Sequence, residues 1–212
     1  MDGTNTRILI NGKDFIIGTR EELLYAKGDR IVNPAMGVCP YLIPIIEELV
    51  ENLCLTDDQV MIFYGEAYGG KITKASREYT TSQQIGFRVF DILQLSASEL
   101  TDLMTQSVDA LALWRDQGKK PFLNEETLIQ TLTDLNLERV PSLFTLTAQE
   151  LPTEITSTYE FLFPHKETRV GLDCTGKSEG LIVRSADRQF IAKLRFEDYE
   201  RTLKQMNKQA VK

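Results

Sequence analysis

Histidine is almost missing from this chain: His165 is the only one among 212 residues, and it sits in Phe163-Pro164-His165-Lys166, a loop composition. A lone imidazole argues against histidine metal centres and against serine or cysteine triads. Cysteine is scarce as well. Cys39, Cys54 and Cys174 are odd in number, widely spaced and form no CxxC pair, which fits reduced thiols rather than a disulfide framework or a thiolate zinc site. No apolar run is long enough to span a bilayer, and the first ten residues carry Asp2, Asn5 and Arg7 where a signal peptide needs its apolar segment. The expected location is therefore the cytoplasm, with no membrane partner. Positive charge is also in deficit, with 24 Lys and Arg against 31 Asp and Glu, net charge −7 and pI near 4.9. That balance disfavours indiscriminate nucleic-acid binding, which draws on a broadly basic surface. It leaves room for a local basic groove, because Lys71, Lys74 and Arg77 cluster while Glu47, Glu48, Glu51, Asp57, Asp58, Glu125 and Glu126 gather acid elsewhere.

What is present is enough apolar content, 42%, to bury a substantial core. Internal repeats, low-complexity segments and linkers are lacking, so residues 1-212 read as one α+β domain. The opening Met1 to Gly18 reads as two short strands joined at Asn11-Gly12, a strong hairpin signal. A Gly, Pro and Asn rich connection through Gly28, Asn33, Pro34 and Gly37 follows. Leu42, Ile45, Ile46, Leu49, Val50 and Leu53 then recur at helical spacing, with Pro44 expected in the first turn. Gln59 to Tyr64 predicts a buried strand running into Gly65-Glu66-Ala67-Tyr68-Gly69-Gly70. A carboxylate at such a strand end suits a ligand hydroxyl or a metal; a structural ion pair is the competing reading. Gly86 to Ile92 predicts a further strand, with Phe87 as core first and as a surface for stacking a base second. Leu100 to Trp114 has helical composition, and Asn124-Glu125-Glu126 predicts a capped helix carrying Leu128, Leu132 and Leu135. Leu143 to Leu146 reads as a short strand, Glu150 to Leu162 as an irregular helix, and Phe196 to Met206 as a terminal helix.

Glu179 to Arg184 and Phe190 to Arg195 predict a hairpin, rich in β-branched and aromatic residues, across a polar connection at Ser185-Ala186-Asp187. If that loop has three residues, Glu179 stands opposite Lys193, and strand alternation puts Lys193 and Arg195 on one face with Ile191. One acid and two cations then converge, a set that can hold a divalent metal and a polyphosphate together. A solvated pair on a sheet face is the competing reading. Just ahead of it, Gly171-Leu172-Asp173-Cys174-Thr175-Gly176-Lys177-Ser178 matches G-x-x-x-x-G-K-[ST] letter for letter. A phosphate-cradling loop of that kind needs a helix beginning at its Lys, whereas Glu179 to Val183 reads as a strand.

Taken in order, five stretches resemble the motifs of the covalent nucleotidyltransferase superfamily, the ATP-dependent RNA and DNA ligases and mRNA capping enzymes, and within it the RNA ligase domain family. Asp2-Gly3-Thr4-Asn5 resembles the tail of the K-x-D-G nucleophile motif, and Tyr64-Gly65-Glu66-Ala67-Tyr68-Gly69 the strand-borne glutamate motif. Gly86 to Ile92 resembles the aromatic segment that stacks on adenine, Glu179 to Arg184 the metal-associated glutamate motif, and Ala192-Lys193-Leu194-Arg195 the final K-x-K-like motif. The resemblance implies an ATP-grasp-like core of antiparallel sheets flanked by helices, with AMP in the cleft between them. It implies ATP and Mg2+ (or Mn2+) as cofactors, and nucleic acid, RNA ahead of DNA, as partner. A lysine would attack the α-phosphate of ATP, and the AMP would pass to a 5′-phosphate before a 3′-hydroxyl displaces it. By position, Gly3 and Asn5 join the nucleotide site, Glu66 contacts the ribose, Phe87 stacks on the base, and Arg20 holds phosphate or the RNA end. Glu179 holds the metal, and Lys193 and Arg195 act catalytically by neutralising the α-phosphate. In this frame the nucleophilic lysine would stand immediately before Met1, where the chain has none. Arg195 replaces a lysine but keeps the charge, and the expectation is of a domain without the accessory domain that many ligases append. The expectation is thus an RNA ligase-type domain that does not adenylate itself as it stands. A non-catalytic nucleotide- or RNA-binding module and a phosphotransferase using Gly171 to Ser178 are the alternatives.

Overall fold

A computed structural model of the chain describes residues 1–27, 36–116, 121–188 and 190–210. Strand β1 (Thr4–Asn11) turns through Gly12, whose φ of 55° suits the glycine, into β2 (Asp14–Gly18). Strand β3 (Leu23–Ala26), which the sequence pattern did not reveal, follows directly. Of the connection that comes next, Gly28, Asn33 and Pro34 lie outside the described residues. Helix α1 (Val38–Leu53) starts after Gly37. It begins earlier than its apolar spacing predicts, so Pro44 stands in the second turn and denies the Pro40 carbonyl its helical donor. Strands β4 (Gln59–Gly69) and β5 (Ile85–Ser96) run well past their predicted ends, with a 3-10 turn at Lys74–Glu78 between them.

The stretch predicted helical from Leu100 to Trp114 is two helices, α2 (Ala97–Met104) and α3 (Val108–Asp116). Helix α4 (Glu125–Asp134) is capped as expected, the Asn124 side chain accepting from the Thr127 N–H at 2.9 Å. The strand predicted at Leu143 to Leu146 does not form. Arg139 bridges to Val89 at the β5 edge, and Val140 N–H donates to the Val89 carbonyl, but Pro141 has no N–H to continue the ladder. Helix α5 (Ile155–Leu162), strands β6 (Gly180–Arg184) and β7 (Ile191–Arg195), and helix α6 (Phe196–Ala210) complete the chain.

Five strands form one antiparallel sheet in the order β3-β2-β1-β4-β5, and β6 pairs with β7 in a separate two-stranded ribbon. Strand alternation gives the large sheet two faces. Ile8, Ile10, Ile17, Phe63, Ala67, Phe87 and Val89 occupy one, and helix α1 covers it with Leu42, Ile46 and Leu49. The other face is covered only partly by helices: Val60, Ile62, Leu93 and Leu95 pack against Leu100, Leu103 and Trp114. Beyond that cover, the same face presents Asn5, Arg7 and Glu66, and here the β6-β7 ribbon approaches. No described helix is long and apolar enough to cross a membrane.

Candidate functional site

Glu66 projects from β4 on the ribbon side of the sheet, directly across from Asn5 on β1 and Arg88 on β5. Its Oε1 accepts the backbone N–H of Gly3 at 3.0 Å. A side chain at Gly3 would collide with the Ala67 carbonyl, so only glycine lets the chain approach this closely. The segment is gripped on two further sides. Asp2 N–H donates to the Tyr79 hydroxyl at 2.6 Å, and the Thr73 hydroxyl donates to the Asp2 carbonyl at 3.1 Å. Tyr79 is fully buried, and burial pushes its hydroxyl pKa up to about 12, so it stays a neutral phenol. These bonds fix the chain just after Met1, whose α-amino group feels the charges of Glu66, Glu179 and Lys193.

The ribbon delivers the remaining groups, though not by the predicted register. Arg184 pairs with Ile191, so the connection is six residues long instead of three, with Gln189 outside the described residues. Gly180 then stands opposite Arg195, and Ile182, not Glu179, faces Lys193. Glu179 reaches the cations nonetheless, from the mouth of the ribbon. Its carboxylate meets Lys193 Nζ at 2.7 Å and Arg195 at 3.0 Å. The Lys193 and Arg195 side chains are 43% and 52% exposed, so these pairs are worth about 1 kcal/mol or less and exchange readily for phosphate.

A second charged cluster has the opposite character. Asp91, whose side chain is 5% exposed, binds both Arg184 and Arg188, and Arg184 also binds Glu125. The cluster ties the ribbon to β5 and α4, and its burial marks it as structural. It was legible in one respect: an aspartate inside an apolar strand pattern implies a buried partner. The grip of Thr73 and Tyr79 on Asp2 left no comparable signal.

Electrostatics at the site are set by burial. Burial raises the Glu66 carboxyl pKa, opposed by the Gly3 N–H, the α-amino group and Lys193. Burial lowers the Met1 α-amine, with Lys193 acting in the same direction and Glu66 and Glu179 against it. The Met1 α-amine is thereby shifted toward its neutral form. Asn5 Oδ1 and Arg7 Nε are buried without hydrogen-bond partners, and the Arg7 guanidinium lies over the Tyr64 ring at 5.6 Å. An orphaned acceptor, and a cation with no ion pair among the described residues, beside Glu66 suit a polar ligand with both donors and negative charge.

The structure thus brings together Gly3, Asn5, Glu66, Glu179, Lys193 and Arg195. It does not bring Phe87. That residue pairs with Ala67 on β4 and is 6% exposed in the α1 core, with its ring beneath Gly65 on the face away from Glu66. The adenine-stacking role assigned to it is corrected to a packing role. Arg20 lies exposed at the turn after β2, near Gly18, which pairs with Arg7. The Gly171 to Ser178 stretch is not a phosphate loop, since the next element is β6 rather than a helix. It is a strap: the Asp173 carboxylate accepts from Thr80, Thr81 and Ser82, and Lys177 N–H donates to Glu78. A cavity of about 360 Å³ between Leu95, Leu103 and Trp114 lies beside α2 and α3, away from these groups.

No curated protein matches the chain. Solved structures of similar fold include a Naegleria gruberi RNA ligase variant with ATP and Mn, at TM-score 0.60 and 18% identity, covering 95% of this chain and 49% of that one. The same enzyme with PPi aligns at TM-score 0.57 and 18% identity, covering 97% and 50%, and a variant with AMP and Mn at 0.57 and 18%, covering 95% and 49%. The chain spans about half the length of these structures. The antiparallel sheet flanked by helices is accordingly an RNA ligase fold. Residues 1–200 match the RNA ligase family model, from the gripped Asp2-Gly3 through the ribbon and into α6, and the chain belongs to the RNA ligase family.

Proposed function

We propose that this chain is the nucleotidyltransferase part of an ATP-dependent RNA ligase, joining 5′-phosphate and 3′-hydroxyl ends through an AMP-lysine. One observation carries the reading: the backbone of Asp2-Gly3, the Glu66 carboxylate and the Glu179, Lys193 and Arg195 charges converge at one end of the sheet, where an amine is driven toward its neutral form. A lysine placed immediately before Met1 enters that environment. Its amine must lose a proton to attack phosphorus, and desolvation beside Lys193 favours that loss. Glu66 and Asn5 would take the ribose side of the nucleotide. Lys193 and Arg195 would leave Glu179 to stabilise charge on the α-phosphate.

The residues present also suit a divalent metal. The Glu179 charge raises the cost of ionising Glu66, and Mg2+ typically takes only one or two protein carboxylates and completes its shell with phosphate and water. No cage of three or more metal-binding side chains occurs among the described residues, and none is needed for such a site. Glu179 would hold the ion, which would add positive charge beside the phosphates. RNA is the favoured partner and the cytoplasm the favoured location.

ATP titration of Lys193→Ala and Lys177→Ala tests the assignment. A cation that becomes desolvated against phosphate costs about 2 to 5 kcal/mol when truncated. Lys193→Ala is expected to lose affinity on that scale, with Lys177→Ala close to the unmodified chain. The reverse order would contradict the ligase reading and favour the phosphate-loop alternative.

A further inference from the structure

We infer that the surface formed by the 3-10 turn at Lys74–Glu78 and the Gly171 to Ser178 strap is a track for the phosphate backbone of the RNA strand whose end enters the site. The inference rests on the ligase reading above and adds to it a place for the RNA. The two segments are distant in sequence but docked on each other. Lys177 N–H donates to Glu78 at 2.9 Å, the Cys174 thiol donates to the Arg77 carbonyl at 3.5 Å, and Asp173 is held by Thr80, Thr81 and Ser82. Beneath them, Ala75 and Leu172 pack with Met1 around Tyr68, Tyr79 and Val170, so the surface adjoins the nucleophile's place.

Its charge departs from that of the whole chain. Residues 71–78 and 167–178 carry five cations, Lys71, Lys74, Arg77, Arg169 and Lys177, against three acids, in a protein of net charge −7. All five cations are exposed. Of the acids, Glu78 is engaged with the Arg77 side chain and the Lys177 backbone N–H, Asp173 accepts bonds from Ser82, Thr81 and Thr80 that hold its carboxyl well below the usual range, and Glu167 is exposed. Five exposed cations against three acids leave a local excess of positive charge, and a flexible polyanion gains affinity there through counterion release. The Thr73 hydroxyl binds the Asp2 carbonyl, so Lys74 is one residue from the group that fixes the nucleophile motif. The lysine that completes the phosphate-loop pattern thereby acquires a role toward RNA rather than toward ATP.

The test compares the unmodified chain with a combined Lys71→Gln, Lys74→Gln, Arg77→Gln, Lys177→Gln variant. Fluorescence anisotropy with a 5′-phosphorylated single-stranded RNA is read across salt, with ATP titration on the same samples. The variant is expected to lose about tenfold or more in RNA affinity at 0.1 M salt, and its log–log salt slope to fall by about 0.7 for each cation that meets a phosphate. ATP affinity is expected to stay unchanged. Equal RNA affinity and slope in the two proteins would overturn the inference. So would an unmodified chain that binds ATP but no RNA at low salt, or a variant whose ATP and RNA affinities fall together. Failure of the unmodified chain to bind ATP would count against the ligase reading, while the RNA titration alone still decides the track. A single Lys74→Glu variant, which removes one exposed side chain, repeats the measurement should the fourfold change disturb folding.

Discussion

Glu66 is asked to be ionised for a ligand in a place that resists its charge. Burial raises its pKa, so folding disfavours the carboxylate. An acid whose folded pKa exceeds the unfolded one costs no stability below the unfolded value and costs progressively more as pH rises through the folded one. Glu66→Gln keeps an acceptor for the Gly3 N–H and removes the charge. Its melting temperature is expected to match that of the unmodified chain near pH 4 and to exceed it at pH 7, while its ATP affinity falls. Equal melting temperatures at both pH values would contradict this. At Phe87 the opposite pattern is expected. Phe87→Leu is expected to destabilise the fold by roughly 1 kcal/mol or more, as shape changes in a packed core do, and to leave ATP affinity unchanged. A clear loss of affinity in the folded variant would return the residue to the site. The sequence motif around Phe87 was legible, but its facing was not. Glu66 pairs with Arg88, and Phe87 pairs with Ala67 beyond an irregularity at Tyr64/Gly65, so a shift of one residue decides which side of the sheet a ring occupies.

Among elements, the ribbon shows how far pattern reasoning reaches. Its two arms were legible from their β-branched runs and β7 ends at Arg195 as expected, while the turn between them was misjudged by three residues. The error did not disperse the acid and the two cations: Glu179 stands at the mouth of the ribbon, where Phe196 N–H pairs with its carbonyl at 3.1 Å and its carboxylate reaches both Lys193 and Arg195. What holds the ribbon over the sheet was hidden, since Asp91, Arg184 and Arg188 come from distant parts of the chain. Removing one partner of a buried charge cluster leaves the others unpaired and costs about 3 to 5 kcal/mol. Asp91→Ala is expected to lose stability on that scale in urea unfolding. A change below about 1 kcal/mol would mean that the arginines find water and that the cluster does not anchor the ribbon. The ends of β4 and β5 escaped detection for a different reason: glycine and polar residues such as Gly65, Glu66 and Gln94 interrupt an apolar pattern although the ladder continues through them.

For the molecule as a whole, the antiparallel sheet and the helices at Val38–Leu53 and Glu125–Asp134 follow from periodicity and capping. The site follows from the order of short motifs. Its assembly depends on contacts between residues more than sixty positions apart, such as Gly3 with Glu66 and Asp2 with Tyr79, which no local pattern encodes. The central claim is that this end of the sheet activates a lysine standing immediately before Met1. Intact-mass spectrometry after incubation with ATP and Mg2+ tests it on a chain extended by Glu-Lys ahead of Met1, with the 212-residue chain alongside. In the shorter chain the α-amine lies at the backbone and lacks the four-carbon reach of a lysine, and a displacement on the order of 1 Å can cost a hundredfold in rate. The account predicts one AMP adduct on the extended chain, lost in its Lys193→Ala variant, and none on the shorter one. An extended chain that is folded and binds ATP yet gains no adduct would contradict it.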